Sequence, residues 1–66
     1  MNEITVKQLL DVIGNLRVQL FDADSGLLLA NGQKTANKIR EYDGHIVDFI
    51  YFRKPNRIYI RIYKED

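Results

Sequence analysis

Four groups of residues in this 66-residue chain are of types that do chemistry, and spacing decides how far each one goes. FDADSGLLL sets Asp22, Asp24 and Gly26 in the order of a calcium loop. A calcium loop of the EF-hand kind wants glycine at its sixth position and a bidentate glutamate at its twelfth. Counted from Asp22, glycine comes fifth and the twelfth residue is Gln33. Asp and Gly are also what a hairpin turn selects for backbone reasons, so the segment reads as a turn. His45 could serve as a general base, but the only serine, Ser25, falls in a different hairpin. Tyr59 or Tyr63 with Asp48 has the types of a nucleophile and a carboxylate for strand-nicking chemistry. A metal-assisted phosphoryl transfer usually needs several carboxylates, and here there is one. Catalytic residues, a metal and a cofactor are therefore all expected to be absent.

The fourth group is the closing stretch RIYIRIYKED. By the period of two of a β-strand, Ile58, Ile60 and Ile62 point one way, while Arg57, Tyr59, Arg61 and Tyr63 point the other. The isoleucines need a core. The Arg/Tyr row suits three uses: a protein interface, where Tyr and Arg are enriched; a stacking and phosphate-binding platform for single-stranded nucleic acid; or an ordinary solvated strand.

The elements that must carry this row follow from patterning. ITVKQLLDVIG has Thr5 as N-cap and Gln8 three residues on, a capping box, with Ile4 and Leu9 spaced for a hydrophobic staple. Val6, Leu9, Leu10 and Ile13 share one helical face and Gly14 is suited to a left-handed stop, so a helix is predicted over 6–13. LRVQLFD alternates as a half-buried strand, ADSG turns, and LLLA returns. TANKIREYDG holds a short second helix capped by Thr35, with Ala36, Ile39 and Tyr42 on one face and Gly44 as its stop. HIVDFIYF and RIYIRIY are strands joined through Lys54–Pro55–Asn56–Arg57, with Pro at the first corner of a turn. The predicted fold is α+β, one domain over 1–66 in the order α-β-β-α-β-β, with a four-stranded antiparallel sheet on the N-terminal helix. Its core is expected to hold Ile4, Leu9, Leu10, Ile13, Leu16, Val18, Leu20, Ile58, Ile60 and Ile62.

The last hairpin has two registers. With an even connection, Phe49 faces Ile62 and Tyr51 faces Ile60, and the second face holds Ile50 and Phe52 beside Tyr59, Arg61 and Tyr63. An odd connection puts Phe49 and Tyr51 there instead. Either way, two large apolar residues join the Arg/Tyr row on a face that two short helices cannot also cover. Self-association is expected through Ile50, Phe52, Tyr59 and Tyr63, and partner or nucleic-acid contact through Arg53, Lys54, Arg57, Tyr59, Arg61 and Tyr63.

Composition supports this direction. A chain of this size buries only about 60% of the surface its unfolded form exposes, so oligomerisation is a natural support. There is no cysteine, which removes disulfides and zinc ribbons, and one histidine, which removes a multi-histidine metal site. The net charge is +1 but unevenly placed. Residues 1–33 carry Lys7 and Arg17 against Glu3, Asp11, Asp22 and Asp24, whereas Ile50 to Lys64 holds five basic residues and no acidic one. That bias suits a polyanionic partner. With neither a membrane-length apolar run nor a signal-peptide pattern, no membrane contact and a cytoplasmic location are expected.

The helix VKQLLDVI, the turn D-A-D-S-G from Asp22 to Gly26, and E-Y-D-G-H-I-V-D-F from Glu41 to Phe49 before a C-terminal hairpin together resemble a class of very small proteins encoded by phages and prophages of Gram-positive gut bacteria. That class is usually marked by an Asp-x-x-Thr/Ser-Gly turn, a Tyr-x-x motif and a Val-x-x-Ile-like strand start. Its members tend to be acidic, whereas this C-terminal hairpin is basic. The resemblance implies action in the host cytoplasm as an anti-defence factor, including the anti-CRISPR kind that blocks a nuclease by binding it or its nucleic acid. The favoured expectation is thus a protein that binds and occludes a protein partner, a host defence nuclease in particular. The alternative is a dimeric nucleic-acid-binding protein that uses the basic, aromatic face of the last hairpin.

Overall fold

The structure, a computed structural model, describes residues 3–53 and 55–63. Its first helix, α1 (Val6–Val12), is punctuated as the sequence predicts. The Thr5 hydroxyl accepts from the Gln8 amide at 3.2 Å, and the Gln8 side chain accepts from the Thr5 amide at 2.9 Å. Two more of the first-turn amides that a helix cannot satisfy internally find partners in the chain beyond residue 42. Val6 N donates to the His45 carbonyl at 2.9 Å and Lys7 N to that of Asp43 at 3.0 Å. Val6, Leu9 and Leu10 form the buried stripe. The stop differs from prediction. Ile13 ends the helix in an extended conformation, and Gly14 has no left-handed φ. Lys34 does the capping: its ammonium donates to the carbonyls of Leu10 at 3.2 Å and Ile13 at 2.7 Å, placing a cation at the negative end of the helix dipole.

β1 (Arg17–Asp22) and β2 (Leu28–Gln33) form an antiparallel hairpin, as do β3 (Val47–Arg53) and β4 (Arg57–Ile62). The predicted all-antiparallel sheet is corrected here. The strand order is β2-β1-β4-β3, and the central pair β1 and β4 runs parallel, giving a mixed sheet. The pairing has a clear physical basis. Val18 and Leu20 of β1 and Ile58, Ile60 and Ile62 of β4 form the most apolar faces, and placing them side by side buries all five completely. Each such side chain contributes about 1.5–3 kcal/mol over leaving it exposed. Alternation alone says which side of a strand is apolar and leaves its neighbour open.

Between the hairpins, α2 (Asn37–Arg40) is a single turn with Ala36, not Thr35, at its N-cap position and no side-chain cap. Consecutive tight turns follow, with Tyr42, Asp43 and His45 amides donating to the carbonyls three residues back. Fully buried Ile39 anchors this segment. The core comprises Val6, Leu9, Leu10, Val18, Leu20, Ala30, Ile39, Ile58, Ile60 and Ile62, with the predicted Ile4, Ile13 and Leu16 only partly buried against it. Among the described residues, no helix is long and apolar enough to cross a membrane.

Three residues separate the paired Arg53 and Arg57, an odd connection. Ile50 therefore lies opposite Ile60 and Phe52 opposite Ile58, on the core side of the sheet. The expected placement of Ile50 and Phe52 on the second face is overturned, and Phe49 and Tyr51 take it. A bulge between Val47 and Phe49 then restores phase at the other end, so that Val47 faces Ile62 and packs on the core while Asp48 is the extra residue.

Candidate nucleic-acid interface

The sheet's open face is built in rows, because residues opposite each other on paired strands point the same way. At one end Arg17, Arg57 and Arg53 sit at adjacent register positions on β1, β4 and β3. The next row is Gln19, Tyr59 and Tyr51, and the one beyond it Phe21, Arg61 and Phe49. Neighbouring strands lie about 4.8 Å apart, so each row is a close lateral array.

Within the array the rings interlock. Phe21 and Tyr59 have centroids 5.5 Å apart at 57°, and Tyr59 and Tyr51 are 6.3 Å apart at 56°. The Arg53 guanidinium leans over both tyrosines, 5.7 Å from the Tyr51 centroid and 5.6 Å from that of Tyr59. Arg61 lies 5.2 Å from the Phe49 centroid. Phe21, Phe49, Tyr51, Tyr59 and Arg61, with Gly26 from the β1–β2 turn, line an open, shallow depression of about 410 Å³. Phe49 and Tyr51 are about half exposed, a large aromatic area to leave in water.

Asp48, turned onto this face by the bulge, organises its far end. Its carboxylate accepts from Arg61 Nε at 2.9 Å and from the Tyr63 hydroxyl at 2.7 Å. The hydrogen bond from Tyr63, with the bond and charge of Arg61, holds the Asp48 carboxyl below its usual value. The same bond, together with the carboxylate's charge, raises the Tyr63 phenol. The arginines therefore fall into two kinds. Arg61 is paired with a carboxylate, while among the described residues Arg17, Arg53 and Arg57 form no ion pair.

The other candidate groups are held in hydrogen bonds. The Asp22 carboxylate accepts from the Asp24 amide at 3.2 Å and from the Ser25 hydroxyl at 2.8 Å, and the Ser25 oxygen accepts from Leu27 N at 3.2 Å. Gly26 sits at φ 77°, where a side chain would be strained. The segment is the turn the sequence predicts. His45 Nδ1 lies 2.9 Å from the Tyr63 carbonyl, which can only accept, so that nitrogen carries the proton.

Of the sequence-predicted contact residues, Arg53, Arg57, Tyr59, Arg61 and Tyr63 share the open face, and Lys54 lies outside the described residues. Arg17, Phe21, Phe49 and Tyr51 complete it. The polar side of LRVQLFD was visible in its alternation, but only the parallel pairing of β1 with β4 brings it to the arginines. No family model, no curated protein and no solved structure matches the chain.

Proposed function

We propose that the protein is a binding module whose open sheet face takes nucleic acid, and that it works by contact, with no catalytic step. One observation carries this reading. Arg17, Arg57 and Arg53 stand side by side on three strands with no carboxylate paired to them among the described residues. Like charges directly opposite on paired strands destabilise a sheet, so the row costs the free protein stability. A phosphate backbone laid along it turns that repulsion into attraction and releases counterions. The adjoining rings supply surfaces on which bases stack. The test is an anisotropy titration of the whole protein with labelled nucleic acid across a salt series. Affinity should fall steeply with salt, and a folded protein that binds no strand at low salt would refute the reading.

A second reading, occlusion of a host defence protein by the same face, follows from the resemblance to small phage proteins. Its support is the apolar part of that face, where Phe49, Tyr51 and Tyr63 are each about half exposed. An apolar protein contact would resist salt and survive nuclease treatment, which separates the two readings. Both place the protein in the cytoplasm, that of the host if it is phage-encoded. Self-association, which we place on Phe49, Tyr51, Tyr59 and Tyr63 because Ile50 and Phe52 lie on the core side of the sheet, would compete with either partner.

A further inference from the structure

The two kinds of arginine on the open face have different uses. Arg17, Arg57 and Arg53 are cations without carboxylates among the described residues, suited to phosphate. Arg61 is neutralised by Asp48 at 2.9 Å, and its guanidinium is held against Phe49. A guanidinium fixed in this way acts chiefly as a flat, weakly hydrated surface. It closes one side of the depression whose other walls are Phe21, Phe49, Tyr51 and Tyr59, while Gly26 adds only backbone at the rim. The depression lies beside the phosphate-binding row, with Tyr59 and Tyr51 between them and Arg53 reaching over both rings.

Resting on the nucleic-acid reading above, we infer that the ligand is single-stranded: its phosphates follow Arg17–Arg57–Arg53 and one unpaired base enters the aromatic depression. A nucleobase has flat, weakly polar faces that stack on rings and guanidinium planes, matching these walls. In a duplex those faces are covered by their neighbours, and exposing one requires unpairing and unstacking. A duplex could reach the arginine row with its backbone but could not fill the depression. Asp48 is then a positioning residue. By occupying Arg61 it keeps that side chain as a stacking wall and withholds it as a fourth phosphate contact.

The experiment measures binding of the full chain to three labelled probes: a mixed-sequence single strand of about 8 nucleotides, the size range of small single-strand modules, the same strand with abasic sites, and its duplex. The intact strand should bind about tenfold more tightly than either of the others, the scale of one stacked base. Phe49→Ser, and separately Tyr51→Ser, should bring the intact strand down to the affinity of the abasic one, abolishing the preference between the two probes. Both residues are half exposed, so the variants should keep the helix signal by circular dichroism. Asp48→Asn should tighten duplex and abasic binding and reduce the preference for the intact strand, an effect that a merely structural role would not produce. If wild type binds all three probes alike, base insertion is wrong and the nucleic-acid reading stands. If folded wild type binds none, both fall together.

Discussion

Arg57 is opposed by an arginine on each side, Arg17 through β1 and Arg53 through β3, and this makes Arg57→Gln the most informative single change. Strand backbones are about 4.8 Å apart, and splayed guanidinium groups on neighbouring strands reach about 8 Å. At that distance two unit charges repel by about 0.5 kcal/mol in water, and physiological salt reduces this further. Removing the central charge should therefore raise the stability of the free protein by a few tenths of a kcal/mol, more at low salt. Binding should respond in the opposite direction. With three phosphates neutralised, the slope of log affinity against log salt is about −2.1, and with two it is about −1.4. Between ~50 and ~200 mM salt, wild type should lose about 20-fold in affinity and the variant about 7-fold. Anisotropy titrations over a salt series give the slopes, and urea midpoints give the stabilities. Arg61→Gln is the control: its charge is already paired with Asp48, so its slope should stay near wild type and its stability should not rise. If Arg57→Gln keeps the wild-type slope, or is destabilised, the row is not a phosphate site and the argument from like-charge crowding fails.

Thr5→Ala removes one arm of the capping box and should cost about 1 kcal/mol, seen as a lower denaturant midpoint; coincident midpoints would mean the cap adds nothing. Asp48 and Tyr63 should show opposite pH signatures. The depressed carboxyl contributes stability that is complete above its unfolded value of 3.8 and is lost as pH falls from there through the lower folded value. The raised phenol contributes stability that is complete below its unfolded value of 10.0 and is lost as pH rises through the folded value. Asp48→Asn should abolish the acid component and return the tyrosine ultraviolet titration toward 10.0, and an unchanged titration would contradict the bond at 2.7 Å. Self-association through Phe49 and Tyr51 predicts that at high micromolar concentration the protein sediments above its chain mass of 7.8 kDa, and that saturating single strand breaks the assembly. A monomer at that concentration would remove this expectation.

Local structure was legible where one residue type had one use. Thr5 and Gln8 announce the cap, Asp22, Ser25 and Gly26 announce the turn, and the three isoleucines of RIYIRI announce the core face; the structure bears out all of these. Long-range relations were not legible. Lys34 has no helical signature of its own, yet it caps α1 from across more than twenty residues of chain. Its role removes the need for a left-handed Gly14. The one-turn α2 kept its apolar anchor Ile39 but not its predicted cap, because burying one isoleucine matters more than a terminal hydrogen bond in so short a segment. The central parallel pair was hidden for the reason that alternation is silent about neighbours, and with it went the place of Arg17 and Phe21 on the open face.

What the open face carries depends on two matters of length as much as on residue type. The three-residue gap between Arg53 and Arg57 selects Phe49 and Tyr51 over Ile50 and Phe52, and only that choice sets Tyr51 beside Tyr59 and Arg53 beside Arg57. A two-residue gap would move Arg53 off the row. The bulge at Asp48 then lets Val47 remain in the core while the carboxylate turns outward to Arg61 and Tyr63. Without the extra residue, the strand could satisfy the core at Val47 or the open face at Phe49, not both. Rings, cations unpaired among the described residues and a neutralised arginine thus share one face because the chain counts to three in its loop and adds one residue in its strand.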